Sequence, residues 1–187
     1  MTAAGTHLLG LEVLDRQLID SEDELCGKVD DVELDSHGGR ARVTAILFGP
    51  ATWPDRLPRL LTPLARRLFH GEVTRIEWDQ VAELSSAVRL RLRTSELEGR
   101  RTDLPVPDGA TTRLSLLLGR RLEGTGGRSR GRVYDIEVVE GESGPEATAL
   151  LVGWPGLLAR LGLKRSVADR ARISWDQAAH LPRSGSW

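Results

Sequence analysis

Apolar and polar residues alternate along several short stretches of the chain, and this period of two predicts β-strands. In "SAVRLRLRT" (86–94), valine and leucine alternate with arginine, as on a strand with one face in solvent. "GKVDDVELD" (27–35) comes close to the same period, with one slip at the Asp30–Asp31 pair. "ARVTAILFG" (41–49) carries apolar bulk on both faces, which is typical of a buried central strand. The pattern therefore predicts a mainly β fold.

Between these strands the sequence predicts tight turns and one longer helix. "DSHGGRA" (35–41) and "EGESGPE" (140–146) join consecutive strands and are typical of hairpin turns. Leucines recur on one helical face over residues 57–69, although Pro63 is expected to break or kink this helix. A shorter counterpart covers residues 156–163. We interpret each as a short helix, placed before a tryptophan-containing segment, that plugs one end of a small β-barrel.

The same pattern occurs twice along the chain, in the same order. When residue types are matched, Gly10 corresponds to Gly119, a separation of 109 positions. The strand signature repeats after 104 positions and the tryptophan segment after 97. Because loops absorb changes in length, we expect the second copy to have lost five residues in its first loop and seven before the tryptophan. The matched blocks are "LLGLEVLD" with "LLGRRLEG", "GKVDDVELD" with "GRVYDIEVV", "ARVTAILFG" with "EATALLVG", and "RIEWDQVAEL" with "RISWDQAAHL".

The repeat divides the chain into a first domain at 7–93, a linker at 94–112 and a second domain at 113–187. Each copy is near the lower size limit for an independent core, so we expect the two copies to pack on each other. The second copy ends in "HLPRSGSW" and has no counterpart of the alternating strand near residue 90, so its last strand is missing. We expect the open sheet edge to be covered by the linker, by the other copy or by a second chain in a homodimer.

These blocks resemble the PRC-barrel family through the opening glycine hairpin, the "G-x-V-x-D-V" strand, the apolar third strand and the "I-x-W-x-x-V" close. The resemblance implies two tandem small β-barrels that act as a non-enzymatic adaptor. The family includes the cytoplasmic domain of the photosynthetic reaction centre H subunit, the C-terminal domain of the ribosome-maturation factor RimM and many stand-alone bacterial proteins. The signature residues of the two copies are Gly27, Asp31, Gly49, Trp78, Gly131, Asp135, Gly153 and Trp175.

Four acids crowd the first strand signature and raise the question of a cation site, since carboxylate oxygens suit Ca²⁺ or Mg²⁺. The alternative is that Asp31 and Asp135 hold a turn or bond backbone amides, while the other acids face water. Only Asp31 and Glu33 recur in the second copy, as Asp135 and Glu137, which favours the structural interpretation. The acids are Asp30, Asp31, Glu33 and Asp35.

The five tryptophans fall into two groups. Trp78 and Trp175 both stand in "W-D-Q" and are interpreted as core or barrel-closing residues. Trp53 and Trp154 follow the apolar third strand in loops that contain proline, and Trp187 ends the sequence. These three are candidates for binding a partner, since exposed tryptophan is enriched at interfaces.

Charge and composition argue against several other functions. The 26 lysines and arginines nearly balance the 27 aspartates and glutamates, so no net field attracts nucleic acid. The single cysteine excludes an intramolecular disulfide, and no arrangement typical of catalysis or of a cofactor stands out. No apolar run approaches the roughly 18 residues of a membrane span. We therefore expect a cytoplasmic protein without enzymatic activity or cofactor.

Three functions remain as hypotheses. The first is an adaptor that binds another protein. The second is an RNA- or ribosome-associated factor similar to RimM, which the arginines at 89, 91 and 93 favour and the 4% aromatic content disfavours. The third is a sensor of divalent metal that uses the acidic strand. The sequence does not identify a partner.

Overall fold

The computed structural model describes residues 5–37, 39–56, 71–108, 110–123, 129–141, 144–153 and 171–179, and these form mainly β-structure in two sheets. This confirms the predicted mainly β class. The strands are β1 (Thr6–Leu8), β2 (Gln17–Ile19), β3 (Leu25–Lys28), β4 (Asp31–His37), β5 (Arg40–Phe48), β6 (Glu72–Glu77), β7 (Val81–Leu84), β8 (Val88–Leu90), β9 (Arg101–Asp103), β10 (Thr111–Arg113), β11 (Arg121–Glu123), β12 (Ser129–Val139), β13 (Glu146–Gly153) and β14 (Ala171–Ser174).

The helical elements in the described residues are short, and none has the length and apolar character needed to cross a membrane. The α-helices are α1 (Trp53–Arg56), α2 (Thr94–Leu97), α3 (Leu114–Leu117) and α4 (Trp175–Ala179). Single 3₁₀ turns lie at Pro50–Thr52, Trp78–Gln80 and Glu98–Arg100, and a π-helical turn lies at Leu9–Val13. The helices predicted at 57–69 and 156–163, and the end of the chain from His180, lie outside the described residues.

Local sequence explains several strands directly. The predicted turn at 35–41 is confirmed, since β4 ends at His37 and β5 begins at Arg40. In β8, Val88 and Leu90 are buried while the arginine between them is exposed, which is the predicted alternation. The central strand β5 is buried along most of its length, as its two apolar faces predict.

The two copies are interleaved within one sheet. Its main order is β1-β12-β13-β5-β4-β10, so the entry strand of each copy pairs with the long strand of the other copy. The second sheet has the order β3-β2-β8-β7 and is formed by the first copy. The described strands form two open sheets and no closed barrel. One continuous core contains buried residues from both copies, including Leu9, Ile46, Leu114 and Ile136.

The two halves of the large sheet meet at their equivalent strands, β5 and β13. Arg42 pairs with Glu146, the residue 104 positions later, and their side chains form an ion pair at 3.7 Å. On one side of this position Ala41 pairs with Ala147, and on the other the Val43 N–H donates to the Pro145 carbonyl at 2.9 Å. The pairing is therefore symmetric about Arg42 and Glu146, which places a local two-fold axis between the copies.

The strand registers confirm two of the three predicted separations. Pairing of β4 with β5 repeats in β12 with β13 at a separation of 104 positions, with a bulge at the same place in each pair. Pairing of β5 with β6 repeats in β13 with β14, where the last strand is displaced by 97 positions.

The predicted match of Gly10 with Gly119 is wrong. The Leu14 N–H donates to the Leu9 carbonyl, and the Leu118 N–H donates to that of Leu114, both at 3.0 Å. Leu9 therefore corresponds to Leu114, and the residue in the left-handed region after the turn is Asp15 in one copy and Gly119 in the other. The first turn is π-helical and the second α-helical, so the copies differ here by one residue and not by five. The shared letters "LLG" align Gly119 with Gly10, whereas the backbone hydrogen bonds align Gly119 with Asp15.

The segment predicted as a linker, 94–112, contains α2, β9 and the start of β10. Its first residue, Thr94, donates from its backbone N–H and its hydroxyl to Asp20 Oδ2 at 2.9 and 2.7 Å. Backbone hydrogen bonding at Glu24, followed by the Thr94 hydroxyl, lowers the pKa of Asp20 to about 2. Strand β9 then pairs with β6, so this segment belongs to the large sheet.

Substitution of Leu9 and of Leu11, which lie in the same π-helical turn, tests the assignment of the shared core. Leu9 is fully buried, whereas Leu11 is 69% exposed. We expect Leu9→Ala to lower the free energy of unfolding by about 2–5 kcal/mol, because it removes core contacts and leaves a cavity. Leu11→Ala is expected to change it by about 0.5 kcal/mol or less. Urea unfolding followed by circular dichroism measures both, and equal effects would contradict this assignment of the core.

Candidate functional site

The buried carboxylate of Asp31 joins the two copies. Asp31 is fully buried at the start of β4, and its Oδ1 accepts the Val32 N–H at 2.8 Å and the Ser115 N–H at 3.0 Å. The Ser115 hydroxyl donates to Oδ2, and Arg113 Nη1 lies 3.7 Å from the same oxygen. Burial raises the pKa of Asp31, against the lowering effect of the Ser115 hydroxyl and the backbone N–H groups. Asp31 thus fixes the α3 turn of the second copy.

Asp135 makes the reciprocal connection. Its Oδ1 accepts the Gly10 N–H at 2.6 Å and the Ile136 N–H at 2.8 Å, so it fixes the π-helical turn of the first copy. Burial raises the pKa of Asp135 to about 6, against the lowering effect of the backbone N–H groups of Gly10, Ile136 and Leu11. The nearby carboxylate of Glu12 adds to the rise. Each copy therefore contributes one buried aspartate that holds the first turn of the other.

A second duplicated cluster lies on β4 and its neighbours. Thr44 donates its hydroxyl to Glu33 Oε1 at 2.7 Å, and Arg75 Nη2 donates to the same oxygen at 2.7 Å. Arg75 also donates from Nη1 to Glu77 Oε1 at 3.0 Å, and Glu77 pairs in turn with Arg100. The Glu33 side chain is nearly buried, so these bonds compensate its desolvation.

The second copy repeats this cluster in a more open form. Thr148 donates to Glu137 Oε1 at 2.8 Å, and Arg172 Nη2 donates to the same oxygen at 2.6 Å. The hydrogen bond from Arg172, followed by that from Thr148, lowers the pKa of Glu137 below its ordinary value. Ser174 stands at the position of Glu77, so among the described residues Arg172 pairs with one carboxylate, whereas Arg75 pairs with two.

The loop after β5 holds an exposed tryptophan. Asp30 is buried, its Oδ2 accepts the Gly49 N–H at 2.8 Å, and its Oδ1 accepts the Trp53 Nε1–H at 3.3 Å. Gly49 has φ of +133°, and a Cβ there would lie 3.2 Å from the Glu72 carbonyl oxygen, so this turn requires glycine. Trp53 is 42% exposed at the start of α1, which packs against α3 of the second copy.

The four acids of the first strand signature have separate partners. Asp31 bonds to Ser115, Glu33 to Arg75 and Asp30 to Gly49, while the carboxylate of Asp35 lies 2.8 Å from His37 Nδ1. Among the described residues no three histidine, cysteine or acidic side chains form a group able to hold a metal ion.

The other signature residues lie in structural positions. Trp78 and Trp175 are partly buried against the core, and Trp78 packs over Gly144 in the β12–β13 turn. A Cβ at Gly131, where φ is +111°, would lie 2.9 Å from Val152 Cγ1, so the β12–β13 pairing requires glycine there. Gly27 lies in β3 and Gly153 ends β13. Trp154 and Trp187 lie outside the described residues.

The arginines proposed for RNA face acidic or carbonyl oxygens. Arg89 pairs with Asp23, and Arg93 Nε lies 3.3 Å from Glu22 Oε1, both in the turn between β2 and β3. Arg91 Nε donates to the Asp79 carbonyl at 3.2 Å. Arg89, Arg91 and Arg93 are therefore each paired within the protein.

Sequence reasoning missed the arginines that pair with Glu33 and Glu137, which are Arg75 and Arg172. The signal was present, since an arginine precedes isoleucine in both "RIEWDQ" and "RISWDQ". Ser115 was missed for a different reason. Its counterpart in the first copy is Gly10, and the two residues share only a backbone N–H donor, which the sequence does not reveal.

No protein-family model matches the chain, and no curated protein matches it either.

Loss of the Ser115 hydroxyl tests the connection through Asp31. We expect Ser115→Ala to lower the free energy of unfolding by about 1–3 kcal/mol, because a buried carboxylate loses a hydrogen bond that water does not replace. Ser95 is exposed in α2, and Ser95→Ala is the matched control, expected within about 0.5 kcal/mol of the unmodified protein. Thermal and urea unfolding measure both, and a neutral Ser115→Ala would refute the role of this bond.

The pKa of Asp135 predicts a pH dependence. Folding favours its neutral form, so its contribution to stability is complete below the ordinary value of 3.8 and is lost as pH rises through about 6. The advantage in unfolding free energy of the unmodified protein over Asp135→Asn should therefore fall by roughly 1–3 kcal/mol between pH 4 and pH 7. Asp103, exposed in β9, supplies the control Asp103→Asn. A difference that is constant with pH would show that Asp135 does not titrate in this way.

Proposed function

We propose that the protein is a non-enzymatic adaptor of tandem PRC-barrel type that binds another protein through the surface around Trp53. The proposal is supported by the duplication itself, since the strand register, its bulge and the aspartate–turn connection each occur twice. The two copies would then act as a single rigid support.

Trp53 carries the proposal. Its indole is 42% exposed, yet it is held by the buried Asp30 on a turn that Gly49 fixes. An aromatic side chain that is already ordered loses little conformational entropy on binding, which favours its use as an interface anchor. The neighbouring α3, in which Leu116 and Leu117 are partly exposed, lies in contact with α1.

The buried acids support a non-catalytic role. Asp30, Asp31 and Asp135 each accept backbone N–H groups, and Glu33 and Glu137 are each paired with an arginine and a threonine. Groups committed in this way stabilise the fold. Arg89 and Arg93 are paired with acids of the turn between β2 and β3, which disfavours the RNA-associated alternative.

Replacement of Trp53 tests the proposal. The immobilised chain should capture a defined set of proteins from a lysate of the source organism, measured by quantitative mass spectrometry, and Trp53→Ala should reduce that capture at least tenfold. The control is Leu25→Ala, at another exposed apolar residue (65% exposed), which should leave capture unchanged. Circular dichroism verifies that both variants are folded. Capture that is equal for Trp53→Ala and the unmodified chain would refute the role of Trp53, and capture abolished by ribonuclease would favour the RNA-associated alternative.

A further inference from the structure

The hairpin formed by β11 and β12 carries exposed arginines. Arg121 lies directly opposite Arg132, and Arg130 lies two positions before Arg132, at the bulge in the pairing. All three residues are exposed. Two like charges opposite each other on antiparallel strands destabilise the pairing, because their side chains lie on the same face. We call the surface formed by Arg121, Arg130 and Arg132 the basic hairpin.

The equivalent hairpin of the first copy has the opposite charge. Strands β2 and β3 pair in the same register, with the bulge at the same place, and Gln17 lies opposite Lys28 where Arg121 lies opposite Arg132. Residues 15–28 contain five acidic and two basic residues, whereas residues 119–132 contain one acidic residue and five arginines. The sign of the charge on this hairpin is therefore reversed between the copies.

In the first copy the charges of this hairpin are compensated within the chain. Lys28 Nζ lies 3.4 Å from Asp15 Oδ1. The acids of the turn between β2 and β3 face arginines of β8 and of the residues after it, in the pairs Asp23–Arg89 and Glu22–Arg93. One copy of the fold thus holds a segment of opposite charge against this hairpin.

The second copy has no such compensation among the described residues. Gly119 stands at the position of Asp15, and Arg132 Nη1 donates to the Gly119 carbonyl at 2.8 Å where Lys28 has a carboxylate. Within the part of the chain that the structure describes, neither Arg130 nor Arg132 forms an ion pair. The acids at 20, 22, 23 and 24 are replaced in the sequence by Gly124, Gly126, Gly127 and Arg128.

We propose that the basic hairpin binds an acidic segment of a partner protein. A carboxylate of that segment would take the place beside Arg132 that Asp15 takes beside Lys28 in the first copy. Guanidinium–carboxylate pairs are planar and frequently bidentate, so they provide specificity as well as attraction. The inference rests on the proposed protein-binding function, and it assigns a charge class to the partner and a second surface to the chain.

Three other occupants fit less well. Nucleic acid would present phosphates to the arginines, but residues 119–132 contain no aromatic side chain on which a base could stack. A second copy of this chain offers the acidic turn at 20–24, but Glu22 and Asp23 are paired with arginines of their own chain. Residues 180–187 contain no acidic residue, so they cannot neutralise the hairpin.

A pair of peptides tests the charge class of the partner. The probe is a capped synthetic peptide in which glutamate alternates with threonine, and the matched control peptide replaces each glutamate by glutamine. Titration of each into the ¹⁵N-labelled full chain is followed by amide chemical shifts at low and at physiological salt. We expect the glutamate peptide to shift the amides of Arg130 and Arg132, to bind at least tenfold more tightly than the control at low salt, and to weaken as salt is added. Equal binding of the two peptides would overturn the proposal.

Substitution of the arginines locates the site. Arg130→Gln and Arg132→Gln should each weaken binding of the glutamate peptide about threefold, and the double variant about tenfold, because exposed ion pairs are individually weak. The matched control is Arg40→Gln, at an exposed arginine at the start of β5, which should leave binding unchanged. Circular dichroism verifies that the variants are folded. A double variant that binds the glutamate peptide as tightly as the unmodified chain does would overturn the proposal.

Other occupants of the basic hairpin give different results. An oligouridine probe that binds more tightly than the glutamate peptide would identify nucleic acid, and self-association that the double variant abolishes would identify a second copy. Either result overturns the proposal. Failure of the glutamate peptide with Trp53-dependent capture intact would refute the basic hairpin alone. Binding of the peptide without any captured protein would refute the role of Trp53 and leave the basic hairpin standing.

Discussion

The structure depends on two buried carboxylates that cross from one half of the chain to the other. Asp31 lies at the start of β4 and Asp135 lies within β12, and each accepts a backbone N–H from the first turn of the opposite copy. A buried carboxylate is costly unless several donors surround it, so neither half satisfies its own aspartate without the other. Burial of these two carboxylates is costly, and the donors that offset this cost come from the opposite copy, so the two halves must remain together.

Strand exchange follows from this connection. Asp135 fixes the turn that follows β1, and Asp31 fixes the turn that follows β10. Fixing each turn therefore also places the preceding strand against the sheet of the other copy. The shared core lies behind both turns, with Leu9 and Leu114 fully buried. Side-chain hydrogen bonds, strand pairing and core packing thus all cross the boundary between the copies. The sequence repeat reflects a duplication, but one copy is not an independent unit of folding.

Sequence was informative where structure is local. The hairpin turns, the alternation in β8 and the separations of 104 and 97 all follow from patterns within a few residues. The exchange of β1 and β10 left no such trace, because a strand has the same period of two whichever neighbour it pairs with. The mismatch at Gly10 has a similar origin, since a π-helical turn adds one residue without changing the apolar pattern. For the site, the recurrence of Asp31 and Glu33 singled out residues that matter, but their partners Ser115 and Arg75 are distant in sequence.

Arg42 and Glu146 lie opposite each other where the two halves meet. If two identical halves met there, each residue would face a copy of itself, and two arginines or two glutamates would repel. The opposite charges instead favour the pairing of a first half with a second half. The pair is partly exposed, so it contributes at most about 1 kcal/mol to stability. Its larger consequence concerns which halves match: the charges pair a first half with a second half, and the second half nearest to any first half is the one in the same chain.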